Sequence, residues 1–371
     1  MKPRVPVCYN RHMELLSQRK KPDRIRRSVL LLSLCGLLYL FAQDAFLAEY
    51  VFARGIVRAI NAVLGFLTNG VPVSFYEWTA VLLILGFFAL LVRWICLAAK
   101  KKGGRIAGDL YRVWIFLLCV LLSFTVLYAP LYSREGAEDA LGISASDPDT
   151  EEVYAAAEYY IGRLNALSAE VERDGDGLFV SSLSFSETAE RINAAYDGYG
   201  SYFAGRYVTP KKVVLSEAMS YLGITGIYFP FYAESNVNTC VPSYTLPVTM
   251  AHEIAHAKGV SRENEANICA YAVCVRSEDA DLAYSGCMAA ASVLLNALPS
   301  AERTALKATL NGEILAEYAA ASAHYSRYEG WISDVSSFFN DLFLKANGVS
   351  SGTGSYGETA AALTALAAES A

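Results

Sequence analysis

The chain has 371 residues, a formal net charge of −6 and 54% hydrophobic residues. So apolar a composition excludes an ordinary soluble enzyme. The net acidity argues against a nucleic-acid binder, because the basic runs flank apolar stretches and form no patch of their own.

Residues 1–27 are a basic tail that ends in "RKKPDRIRR". A membrane domain is expected over 28–132, with three spans at 28–52, 76–99 and 111–132, each close to the about 20 apolar residues a helix needs to cross a bilayer. Asp44 and Glu49 fall in the second half of the first stretch, and are expected near the far interface or against a partner helix. A cleaved signal peptide is the alternative for that stretch, but no small-residue cleavage site follows it and two more spans do. Residues 57–70 are apolar but broken by glycine; they are expected to lie along the outer surface or to re-enter the bilayer. "RKKPDRIRR" before the first span and "KKKGGR" between the second and third belong inside, and the segment after the third is acidic. The amino terminus is therefore expected in the cytoplasm, and residues 133–371 outside it.

That outer part is long enough for one good core. It reads as mainly helical with a small sheet. A first helix follows Asp149 and Thr150, either of which can cap it, and a second starts near Ser184 or Ser186. "KKVVLS" and "GIYFPFY" carry the β-branched and aromatic residues of short strands. The remainder is helical, ending in an Ala-rich helix. Cys240, Cys269, Cys274 and Cys287 lie in a compartment where disulfides form; pairing and four buried thiols both fit.

"TMAHEIAHAKGVSRENEANICAYAVC" carries the candidate site. Pro247 suits a first helical turn and Gly259 the position just past the end, so the segment between them is a helix. His252 and His256 then lie one turn apart on one face, able to converge on one ion. Glu253 follows the first histidine, where a general base on a zinc-activated water stands in His-Glu-x-x-His hydrolases. A catalytic zinc takes a third protein ligand. A third histidine would fall at position 262, which is Arg, so an acid is needed. Ser261 can cap a second helix after the Gly turn. Glu263, Asn267 and Tyr271 share one face of that helix. "ENEAN" resembles the Glu-x-x-Ala-Asn/Asp pattern of several glutamate-type zinc proteases, and that resemblance implies Glu263 as the ligand and Asn267 as the residue orienting a ligand histidine; Glu265 is the fallback.

With "GITGIYFPFYAESNVN", "LPVTMAHEIAHAKGVSRENEANICAY" and the late "GTGSYGE", the chain resembles the bacterial membrane-protein family known as domain of unknown function 3810. The resemblance covers most of 133–371 and the span layout. It implies a zincin-like metallopeptidase fold and names no substrate.

Candidates to stabilise a transition state by hydrogen bonding are Tyr271, His324 and Tyr356. "GIYFPFYAESNVN" is either a core strand and loop or an edge strand able to pair with an extended peptide. The expected function is a membrane-anchored zinc peptidase acting on peptide or protein outside the cytoplasm, with Glu253 as base and His252, His256 and Glu263 on Zn2+. The alternatives are a cell-wall peptide hydrolase and a non-catalytic sensor or assembly factor. The last would need a structural zinc with a fourth protein ligand, for which Cys269 and Cys274 are the nearby candidates.

Overall fold

A computed structural model describes residues 7–205, 207–346 and 356–370. The amino-terminal part is four helical stretches: α1 (Val7–Ala42), α2 (Leu47–Thr68), α3 (Phe75–Ala99) and α4 (Gly103–Leu127). Among the described residues, four segments are long and apolar enough to cross a membrane: Asp23–Ala42, Leu47–Thr68, Phe75–Ala99 and Gly103–Ser133. The sequence led us to expect three, with the first running on to Phe52. It stops at Ala42 because the Asp44 carboxylate accepts a hydrogen bond from the Leu47 amide at 2.9 Å, opening a new helix there.

That new helix, α2, is the fourth apolar segment, and it does not stand apart from the following domain. Near its start, Glu49 is fully buried and paired with Arg134 at 2.7 Å. Midway, the Arg54 and Arg58 guanidinium groups donate to Ser201. At its end, Thr68 Oγ1 donates to the Tyr232 carbonyl, and Lys211 Nζ donates to the carbonyls of Thr68 and Val71. At 22 residues α2 is about 33 Å long, and it meets the domain along that whole length.

The domain continues through α5 (Ala137–Leu141), α6 (Thr150–Leu167) and α7 (Phe185–Asp197). Of the caps the sequence offered, Asp149 and Ser184 are the ones used, and with Glu152 and Glu187 they form reciprocal capping boxes at the starts of α6 and α7. Next come β1 (Lys211–Lys212), α8 (Ser216–Tyr221), β2 (Gly226–Phe229) and β3 (Glu234–Val237). "KKVVLS" supplies only two strand residues before turning into α8. The three strands lie in the order β1-β3-β2, with β1 parallel and β2 antiparallel to β3.

The central strand, β3, is the one the sequence hid, because Glu-Ser-Asn-Val lacks the usual β-formers. All four residues are buried. Its polar groups are used: Ser235 Oγ donates to the Glu253 carbonyl at 2.7 Å, Asn236 Oδ1 accepts from Ser74 Oγ at 2.6 Å, and Glu234 accepts from the Tyr76 amide. β3 is thus a polar seam between the start of α3 and the candidate site.

After the sheet come α9 (Leu246–Ala257), α10 (Glu263–Val275), α11 (Ala280–Ala297), α12 (Ser300–Lys307), α13 (Gly312–Ser326), α14 (Trp331–Ala346) and α15 (Tyr356–Ser370). The core is helical, with α9, α10 and α11 against α6 and α15. Gly286 lets α11 approach α10 closely, since a Cβ there would stand 2.7 Å from Cys274 Cβ. Cys240, Cys269, Cys274 and Cys287 are free thiols, and all but Cys240 are buried.

The Glu49–Arg134 pair yields a stability test. Arg134→Met strands a buried carboxylate that retains only the more exposed Arg54, and should cost about 3 kcal/mol or more. Adding Glu49→Gln should restore part of that loss, because the unpaired charge goes. Denaturation of the detergent-solubilised chain measures both; a second substitution that only adds to the first would show that the pair is uncoupled.

Candidate metal centre

Pro247 lies in the first turn of α9. At the other end, the Val260 amide donates to the Ala255 carbonyl and the Gly259 amide to the His256 carbonyl, a Schellman closure with Gly259 at φ +100°. The turn throws the chain back into α10 and aims the Val260 carbonyl at His256, whose Nδ1 stands 2.7 Å from it. That carbonyl claims the Nδ1 proton and points Nε2 at the neighbouring ligand atoms.

Three side chains meet there. His252 Nε2 lies 3.0 Å from His256 Nε2 and 3.1 Å from Glu263 Oε2, and His256 Nε2 lies 3.6 Å from Glu263 Oε1. Ligand atoms about 2.0–2.1 Å from a tetrahedral zinc stand roughly 3.3–3.4 Å from one another, so the spacing fits that ion. The electrostatics fit as well. Against its burial, which favours the neutral ring, the Glu263 carboxylate holds the His256 imidazole up at about 9. Against the desolvation it meets within the cluster, Glu263, whose side chain stays partly exposed, is held well below the usual carboxylate range by the two imidazoles. The group thus favours a positive charge at its centre, and a divalent cation supplies one. Among the described residues, His252, His256 and Glu263 are the set of His, Cys, Asp and Glu residues whose donor atoms converge in this way.

Glu253 lies beside this cluster without joining it. Its carboxyl is buried, its Oε2 has no hydrogen-bond partner, and burial pushes it up to about 7 against the pull of the imidazoles. β2 makes room for it: a Cβ on Gly226 would stand 2.5 Å from Glu253 Oε1. All four side chains line one open cavity of about 670 Å³, together with β2, Asn267 and Tyr271 from α10, and Ser336 and Asn340 from α14.

The other sequence candidates fare differently. Glu265 faces away from the cluster, paired with Arg262 at 2.8 Å, and burial raises its carboxyl to about 7. Asn267 borders the cavity, but no hydrogen bond joins it to either histidine among the described residues; the Val260 carbonyl holds His256 instead. Ser261 does not cap α10, whose first residue follows Arg262 with no side-chain cap, and its hydroxyl has no partner. Tyr271 reaches the cavity. His324 does not border it and lies 3.1 Å from the Cys240 carbonyl. Tyr356 opens α15, and its side chain lies outside the described residues.

Tyr128 escaped the sequence reading, in which it was one aromatic residue at the end of a span. Its hydroxyl lies 3.4 Å from His256 Nδ1 and 3.5 Å from the Ser261 carbonyl, and its ring forms part of the cavity wall. No spacing in the sequence links it to a residue 128 positions away.

A family model described as protein of unknown function (DUF3810) matches residues 52–363. The chain belongs to the DUF3810 family. The match begins inside α2, so the family unit of this DUF3810 chain takes in the apolar helices α3 and α4 as well as the His252–His256–Glu263 cluster. No curated protein and no solved structure matched the chain.

Metal content separates the two candidate acids. Glu263→Ala removes a donor atom from the cluster and should strip the purified protein of zinc. Glu265→Ala should leave one zinc per chain, measured by elemental analysis after dialysis. The reverse pattern would refute the cluster as drawn.

Proposed function

We propose that this chain is a membrane-anchored, zinc-dependent peptidase of zincin-like type. In this reading α1, α3 and α4 cross the bilayer, the amino terminus is cytoplasmic and the site lies outside. α2 meets the folded domain along its length, which argues for a helix lying on the membrane surface and leaves three crossings. The basic tail and "KKKGGR" then fall on one side.

The observation that carries the reading is a buried, partnerless carboxylate oxygen on Glu253 beside two imidazoles and a carboxylate spaced for zinc. The ion, when bound, supplies Lewis-acid chemistry, making water more acidic and polarising a carbonyl. Glu253, with its affinity for a proton raised by burial, takes the proton from the attacking water and hands it to the departing amine. Val260 and Tyr128 keep the His256 ring in place. β2 is an edge strand in the cavity wall and can pair with an extended peptide, laying it beside Glu253. Tyr271, which borders the cavity, is the candidate to stabilise a developing oxyanion. A structural zinc would need a fourth protein donor; Cys269 and Cys274 are buried in the helical core and are not part of the cluster.

Glu253→Gln tests the mechanism. It keeps the shape of the side chain and all three proposed ligands, so zinc content should stay at the wild-type level. Hydrolysis of a peptide library by the detergent-solubilised protein should fall about 10²–10⁴-fold. Wild-type hydrolysis by a zinc-loaded Gln variant would refute Glu253 as the base.

A further inference from the structure

α14 is strongly two-sided. Trp331, Val335, Phe338 and Leu342 recur at helical spacing and are between 47% and 75% exposed. Asn340 lies about 180° around the helix from Trp331, and with Ser336 and Ser337 it borders the metal cavity. The polar face thus belongs to the site, and the apolar face looks away from it. An exposed apolar stripe of this kind marks an interaction surface. At 16 residues, about 24 Å, the helix is too short to span a bilayer.

What lies against that stripe follows from where α14 is attached. Glu77, in the first turn of α3, accepts hydrogen bonds from the amides of Val214 and Leu215 at 3.1 and 2.6 Å. Both of those apolar side chains are exposed, Val214 at 83%. They lead into α8, whose Tyr221 ring packs 4.9 Å from Tyr328, and whose following Gly223 faces Ser333 on α14. A short series of contacts therefore joins the start of α14 to the end of an apolar helix. Across the cavity stands Phe124, near the corresponding end of α4. α2, lying along the same domain, exposes Val63, Phe66 and Leu67.

We propose that α14 lies on the outer surface of the lipid bilayer, with its apolar stripe in the headgroup region and its polar face roofing the metal cavity. Helices with Trp, Phe and Leu on one face settle about 5–10 Å into that region. The mouth of the cavity is then held at the lipid surface. This inference rests on the membrane reading above and is independent of whether the site hydrolyses peptides.

The chain has four tryptophans, Trp78, Trp94, Trp114 and Trp331, and the first three belong to α3 and α4. The full chain is reconstituted in phosphatidylcholine–phosphatidylglycerol vesicles carrying a spin label at carbon 5 or carbon 12 of the acyl chain. Subtracting the emission of Trp331→Phe isolates the Trp331 signal. That signal should be blue-shifted and should lose most of its intensity to the carbon-5 label, and much less to the carbon-12 label. Val335→Glu, which leaves Trp331 in place, should move the emission to the red and abolish the quenching. If Trp331 stays unquenched while the other three tryptophans are quenched, α14 faces water or another protein and the proposal fails. If Val335→Glu leaves the quenching intact, the stripe does not hold the helix to lipid, and the proposal fails again. If no tryptophan is quenched by either label, the membrane reading falls first and this inference with it.

Discussion

The buried guanidinium of Arg134 joins the two halves of this molecule. Its Nε and Nη2 donate to Glu49 in α2, its Nη1 donates to the Gly259 carbonyl, and its Nη2 also donates to the Tyr202 carbonyl. Gly259 is the turn between the helix that bears the two histidines and the helix that bears Glu263. Its φ of +100° is one that side-chain-bearing residues rarely adopt, and a Cβ there would stand 2.9 Å from Arg134 Nη1. The placement of Glu263 opposite His252 and His256 thus depends on a glycine pressed against an arginine that is itself neutralised by an acid in an apolar helix. A charge so buried is costly unless fully partnered, and one of its partners, the Gly259 carbonyl, is the turn that sets the two site helices. The cluster and the apolar helices therefore form one object, which accords with a family match that spans both.

β3 repeats this logic from the other side. It carries Asn236 and Glu234 to the start of α3 and Ser235 to the backbone of α9 beside Glu253. A strand of hydrophobic residues would pack as well but would not fix the distance between the apolar helices and the site. Hydrogen bonds do so because each unsatisfied partner would cost about 1–3 kcal/mol in the interior.

How much of this was legible in the sequence depended on the range of the signal. The α9–turn–α10 unit was, because proline, glycine and the one-turn histidine spacing are local rules. So were the starts of α6 and α7, where a capping residue type precedes each helix. The nearness of Glu263 to the two histidines was legible as well, because "ENEAN" follows the turn at the spacing of a known ligand pattern. The break at Asp44 was missed because the hydropathy of 28–52 runs on through a capping acid. β3 was missed because its polar residues take their meaning from partners in other elements, and Tyr128 because a contact 128 positions distant leaves no local trace. Ser261 looked like a cap by residue type, yet the Schellman turn places it where its hydroxyl caps nothing.

The central claim is that two imidazoles and one carboxylate hold a zinc ion with room left for water. X-ray absorption at the zinc edge of the purified, zinc-loaded full chain tests it most directly. The account predicts a first shell of four light atoms at about 2.0–2.1 Å, with the outer-shell scattering of two imidazole rings and no sulfur. A sulfur scatterer near 2.3 Å would put a cysteine in the shell and contradict it. So would a spectrum requiring four protein ligands, or a purified chain that retains no zinc.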